Sequence, residues 1–172
     1  SHALTGNISP SVLVDGDVVY VFGGFRSAGS FAVRAGGTGD VTKSHMLWTS
    51  KASSYVATPL LHDGHLYWID DRGQAFCSNA TTGEQVYRSR VAEITGGGRP
   101  VYASPVLSDG RLIVATRWGG TLVLPAKPDY CVLACNRFAS DESDFSGTPA
   151  IADGRLYLRS GRFLYCVGEP QP

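Results

Sequence analysis

The chain is 172 residues long and 43% hydrophobic, and its 15 Lys plus Arg balance its 15 Asp plus Glu to a formal net charge of zero. That length and composition suit one globular core, and the absence of a net positive field excludes nucleic acid and an anionic membrane surface as expected partners. No apolar run approaches the roughly 18 residues of a membrane span, and the opening Ser1-His2-Ala3 has neither the basic nor the hydrophobic region of a signal peptide.

In chain order, one fragment recurs four times. The copies are Pro10-Ser11-Val12-Leu13-Val14-Asp15-Gly16, Thr58-Pro59-Leu60-Leu61-His62-Asp63-Gly64, Ser104-Pro105-Val106-Leu107-Ser108-Asp109-Gly110 and Thr148-Pro149-Ala150-Ile151-Ala152-Asp153-Gly154. Each predicts a short strand a, a two-residue Asp-Gly turn whose central positions favour φ > 0, and a strand b at 18–22, 65–69, 111–115 and 155–158. A Gly-containing loop leads to strand c, as at 74–77. A second connection, Thr81-Thr82-Gly83 in the second copy, leads to strand d, which carries Trp48, Tyr87 and Leu133 at matching places. A period in the forties with about four strands per unit is the pattern of a β-propeller blade. The expected fold is therefore all-β. One domain spans 1–172, with four blades at about 9–52, 53–98, 99–143 and 144–172, the last lacking its outer strand. An unfinished blade reads as part of a longer ring, and its open edge is an association liability.

Setting Phe31-Ala32-Val33 against Ala75-Phe76-Cys77, Leu122-Val123-Leu124 and Leu164-Tyr165-Cys166 places Cys77 and Cys166 where Val33 and Leu124 stand, as small buried hydrophobes. Cys131 and Cys135 flank Leu133 on one expected strand. At about 3.3 Å per residue they lie some 13 Å apart, beyond the roughly 7 Å reach of a disulfide. All four cysteines are expected as free thiols.

With Thr81-Thr82-Gly83-Glu84-Gln85-Val86-Tyr87, the four Asp-Gly turns and the final Leu164-Tyr165-Cys166-Val167-Gly168, the chain resembles the PQQ-like β-propeller repeat proteins. These include the quinoprotein dehydrogenases and the propeller of the outer-membrane assembly lipoprotein. Gly36-Gly37-Thr38-Gly39-Asp40-Val41-Thr42 is similar to patterns in uncharacterised planctomycete-type members, and the resemblance suggests the C-terminal half of such a ring. It implies fold more than function. A dehydrogenase site would need, by that resemblance, a vicinal Cys pair, a Trp beneath PQQ, and carboxylates for Ca²⁺. No adjacent Cys pair exists here, and Trp48, Trp68 and Trp118 fall where packing accounts for them.

In a propeller the d-to-a and b-to-c loops share one end of the ring. The b-to-c loops carry Arg26, Arg72, Arg117 and Arg159, with Arg162 beside the last. The planar donor fork of Arg suits a carboxylate or phosphate. These arginines are expected either to bind an anionic ligand or acidic peptide, or to be solvated loop charge paired with nearby acids. Tyr55, Tyr102 and Phe145, just before their prolines, and Trp118 add aromatic surface suited to contacts, or else pack between blades. Asp70, Asp71 and Asp144, with Asp141 and Glu142, offer hard oxygen ligands for Ca²⁺, although no single loop has the spacing to wrap the ion. His62 and His65 bracket the second Asp-Gly turn at the opposite end. No nucleophile elbow or phosphate loop appears.

The expected function is a non-catalytic ligand- or protein-binding scaffold of the bacterial cell envelope, periplasmic or secreted by family resemblance, without a resident cofactor. The competing expectation is a Ca²⁺-dependent lactonase-like hydrolase or a degenerate PQQ quinoprotein. A homodimer about a two-fold axis is the expected route to an eight-bladed ring.

Overall fold

The computed structural model describes residues 4, 7–24, 29–95 and 98–169. They form fifteen strands and one exposed four-residue helix, α1 (Thr42–His45). The first blade is β1 (Leu13–Asp15), β2 (Val18–Gly23), β3 (Gly29–Arg34) and β4 (Met46–Ser50). The second is β5 (Leu60–His62), β6 (His65–Ile69), β7 (Gln74–Asn79) and β8 (Gln85–Arg90). The third is β9 (Val106–Ser108), β10 (Arg111–Thr116), β11 (Gly120–Pro125) and β12 (Ala134–Asn136). The fourth has three strands, β13 (Ala150–Ala152), β14 (Arg155–Arg159) and β15 (Leu164–Val167). Every sheet is an antiparallel meander in chain order. This is the all-β arrangement of propeller blades, with the fourth blade short of its outer strand.

The a-to-b turns show where the repeat is regular and where it slips. Asp63, Asp109 and Asp153 take φ of 45°, 47° and 50°, and the glycines after them take 70°, 67° and 70°, so both central residues are left-handed, as a type I′ hairpin requires. The first copy differs. Asp15 pairs with Val18 as a strand residue, and the turn is Gly16-Asp17, with positive φ at Gly16 alone, the type II′ pattern. The expectation that Asp15-Gly16 forms the first turn is thus corrected by one residue. Gly can occupy the first central position of a type II′ turn, which lets the motif slide without strain.

Strand pairing also corrects the cysteine alignment. Tyr67 pairs with Cys77 and Tyr157 with Cys166, as Tyr20 pairs with Ala32 and Ile113 with Val123. Cys77 and Cys166 therefore match Ala32 and Val123, not Val33 and Leu124. Cys77 is buried, but Cys166 is exposed, because its face is the outward one of the last blade. Likewise β12 begins at Ala134, so Cys131 lies before the strand and Leu133 points to solvent at 54% exposure. All four thiols are free.

Three seams join the blades. Between the first and second, Tyr20, Phe22, Ala32 and Trp48 pack on Leu66, Trp68, Phe76 and Ala80. The Trp68 ring stacks on Phe76 at 4.8 Å, and Trp48 Nε1 donates to the Ala80 carbonyl at 2.9 Å. Gly83 has to be glycine there, since a Cβ would come within 2.5 Å of the Trp48 ring and its φ is +73°. The second seam is the thickest, holding Tyr67, Ile69, Cys77, Leu112, Val114, Leu122 and Leu124 among its buried residues. The third is thin, with only Ala103, Ala115 and Leu158 fully buried.

The hydroxyl before each strand a has a defined use. The Ser11 N–H donates to Thr58 Oγ1 at 2.9 Å, the Thr58 N–H to Ser104 Oγ at 2.9 Å, and the Ser104 N–H to Thr148 Oγ1 at 3.0 Å, across 47, 46 and 44 residues. These bonds form a girdle from blade to blade. Among the described residues it begins with the Ser11 hydroxyl, which receives no donor, and ends with the Thr148 N–H, which finds no acceptor.

The two ends of the stack are uncovered. Val14, Val19, Val21, Phe31 and Val33 share the first blade's outward face, with Val14 63% exposed. They stand where Leu61, Leu66, Trp68, Phe76 and Ser78 stand in the second blade, whose face is packed. At the other end Tyr157, Ala150 and Cys166 face outward, and Leu164 is 71% exposed on the unpaired edge of β15.

Candidate functional site

The b-to-c and d-to-a loops meet at one end, as the repeat predicts. The Arg117 N–H donates to the Pro100 carbonyl at 2.8 Å, the Phe145 N–H to the Arg117 carbonyl at 3.0 Å, and Trp68 Nε1 to the Ser53 carbonyl at 2.9 Å. Among the described residues the predicted arginines do not form one ring. Arg72 and Tyr55 gather with Asp70 and Asp71 between the first two blades, Arg117 and Trp118 join Asp144 between the last two, and Arg159 ends β14, exposed. Arg26 lies outside the described residues.

The Arg117 cluster is closed on itself. Its Nε donates to Asp144 Oδ2 at 2.7 Å, Nη2 donates to the same oxygen, and Ser146 donates to Oδ1. The guanidinium lies over the rings of Tyr102 at 4.7 Å and Trp118 at 4.2 Å. Burial alone would raise the Asp144 carboxyl, but the Arg117 hydrogen bond holds it below the ordinary carboxylate value. One seam earlier the arrangement recurs: Arg99 lies 4.8 Å from the Tyr55 ring centroid and pairs with Asp71 at 3.5 Å. Arg99 was missed in sequence because it sits on a d-to-a loop. Its signal was the recurrence of Tyr55 and Tyr102 before their prolines.

Behind the last cluster Phe138 stacks on Tyr165 at 3.8 Å and on Phe145 at 6.0 Å. The Tyr165 hydroxyl donates to Asp141 Oδ2 at 2.7 Å, and Ser143 donates to Oδ1 from its hydroxyl at 2.6 Å and its N–H at 3.0 Å. These bonds, the Ser143 hydroxyl first, hold the Asp141 carboxyl well below its usual range. A cavity of about 410 Å³ opens here, lined by Trp118, Arg137, Phe138, Glu142 and Phe145. Arg137 is committed to the carbonyls of Gly119 and Glu93.

The larger cavity, about 600 Å³, runs between the first two blades from Tyr55, Asp71, Arg72 and Arg99 to Gln85 and Arg88 on the outer strand, with Phe76 as part of its wall. Asp70 Oδ1 accepts the N–H groups of Arg72 at 3.0 Å and Gln74 at 2.8 Å, which shapes the b-to-c turn. Burial lifts the Asp70 carboxyl above its ordinary value against those two bonds.

Among the described residues no group of three or more His, Cys, Asp or Glu is placed to hold a metal ion, and Asp71 and Asp144 are spent on arginines. His65 and His62 stay at their turn, His62 Nε2 lying 3.3 Å from Asp63 Oδ2. Among the described residues no helix is long and apolar enough to cross a membrane.

Comparison with known proteins agrees with this geometry. BamB from Moraxella catarrhalis is similar over 92% of this chain, at 20% identity and a TM-score of 0.66, and the chain spans 46% of that protein. The quinohemoprotein alcohol dehydrogenase ADHIIG from Pseudomonas putida HK5 is similar over 88%, at 12% identity and a TM-score of 0.61, with 28% of its own length covered. The computationally designed Ika4 protein is similar over 98% of this chain and 99% of its own, at 12% identity and a TM-score of 0.62. At these identities the likeness concerns the fold. No curated protein sequence matches the chain. The family model described as outer membrane protein assembly factor BamB matches residues 2–89 and 40–129. With its regular blades and Ser/Thr girdle, the chain belongs to that family of PQQ-like repeat propellers.

Proposed function

We propose that this chain is a non-catalytic binding scaffold of the bacterial cell envelope, periplasmic or secreted, whose loop-bearing end holds a protein or a small anionic ligand. The name of the matching family, an assembly factor of the outer membrane, supports a role in holding other proteins. The arginines and acids of the last seam support it too, because they serve as struts for an aromatic surface rather than standing poised as an acid–base pair.

In this reading a second copy supplies four more blades and completes an eight-bladed ring. The observation that carries it is the girdle, which among the described residues has a free acceptor at Ser11 and a free donor at Thr148, one at each end of the stack. Light scattering on a sizing column is expected to give twice the monomer mass, and solution scattering a closed disc. A monomer at micromolar concentration overturns ring closure. Titration with Ca²⁺ or PQQ is expected to give neither heat nor a melting shift, and saturable heat would replace the scaffold by the quinoprotein or hydrolase reading.

A further inference from the structure

The cavity between the first two blades brings together Lys51, Arg72, Arg88 and Arg99 against two carboxylates, Asp70 and Asp71. Asp71 is already paired with Arg99. Arg88 is held in place by its Nε bond to Gln74 and by lying over the Phe76 ring at 5.3 Å, while among the described residues its terminal nitrogens have no acceptor. The side chains of Lys51 and Arg72 likewise have no acceptor among them. The contrast with Arg117 is direct, for that guanidinium is filled by Asp144. Cations gathered on a concave wall raise the local concentration of anions. A volume of about 600 Å³ lies within the range of small-molecule sites.

We infer that this cavity binds a small oligoanion bearing two or more carboxylate or phosphate groups, held by Lys51, Arg72 and Arg88. The site deepens the scaffold reading by naming the class of its small ligand and rests on that reading. Arg88 offers its fork at the outer flank and Arg72 at the loop end, so two acidic groups on one molecule would be bridged across the cavity.

The test is calorimetry of the full chain with citrate, with pyrophosphate and with a hexaglutamate peptide. Saturable binding of citrate or pyrophosphate is expected, weakening with added salt and falling at least about tenfold in Arg72→Glu with Arg88→Glu. Arg111→Glu with Lys127→Glu, an equal charge change at the Asp-Gly end of the third blade and away from the cavity, is expected to leave it unchanged. Because Arg88 packs on Phe76, the exposed Arg72→Glu alone is the second variant, checked for an unaltered melting transition. No binding at millimolar concentration, equal affinity in the variants, or binding of the peptide alone overturns the proposal. Ring closure is read separately by scattering, so either result can fail without the other.

Discussion

The same cross-strand pair, a tyrosine on strand b and a cysteine on strand c, occurs in the second blade and in the fourth, with different fates. Tyr67 and Cys77 are fully buried against Leu112 and Val114 of the next blade, and burial lifts the Tyr67 phenol and pushes the Cys77 thiol up to about 11. Tyr157 and Cys166 have no next blade. Cys166 is exposed, and the Tyr157 phenol is raised chiefly by its hydrogen bond to that thiol. The two pairs occupy one register of one repeat, so the difference comes from the neighbour and not from the blade. A propeller blade is thus two half-interfaces back to back, and its stability lies in the seams.

The largest expected effect is on the pair itself. Tyr67→Ala empties a closed seam and should cost about 3–5 kcal/mol, the range for aromatic truncation in a core. Tyr157→Ala should cost under about 1 kcal/mol in an isolated chain. Denaturant unfolding of both variants checks this. Equal losses would break the comparison, and a Tyr157→Ala cost that rises with protein concentration would show a second copy covering that face. Thiol labelling gives the next contrast. Cys166 and Cys131 should react with a maleimide at once, and Cys77 only through opening of the seam, orders of magnitude more slowly. Mass spectrometry of quenched samples reads both rates, and fast labelling of Cys77 would mean that the second seam is loose.

How much of this could be read in the sequence follows from the same two-sided logic. The repeat period, the blade strands other than the third blade's outer one, and the I′ turns at Asp63, Asp109 and Asp153 were legible, because local backbone chemistry dictates them. The slide at Gly16 was not, since Asp-Gly and Gly-Asp both make two-residue hairpins and only pairing partners decide between them. The register of strand c was not legible either: pairing partners and not the turn motif set the cysteine alignment, and a one-residue error there exchanges the two faces of a strand. The loop arginines were read as one group, and their separation into a closed cluster at Arg117 and distinct places at Arg72 and Arg159 was not legible. Which carboxylate reaches which guanidinium depends on loops more than 25 residues apart, as between Arg117 and Asp144. The Ser/Thr before the prolines of the last three copies stood out as a pattern with no assigned use until the girdle gave it one, with Ser11, after Pro10, taking that place in the first.

The smallest expected effect separates the apolar second seam from the polar third. Hydrogen bonds from Ser143, then Ser160 and Tyr165, lower the Asp141 carboxyl below its unfolded value, and the carboxylate is 6% exposed beside the Phe138 stack. A group whose folded value is depressed contributes all its stability above the unfolded value, about pH 3.9 for Asp, and loses it as pH falls toward the folded one. Wild type should therefore lose stability below about pH 4, whereas Asp141→Asn, already without that charge, should start lower and decline less over the same window. The tyrosine near-ultraviolet dichroism should follow the loss, because Tyr165 is tied to both Asp141 and Phe138. Cys77 labelling should hold steady through the first part of the decline, since the buried residues of its seam are apolar side chains and the Tyr67 ring. If Cys77 becomes reactive at the same pH at which the Tyr165 signal falls, the seams open together and the blades act as one cooperative unit rather than as a stack with a weaker end.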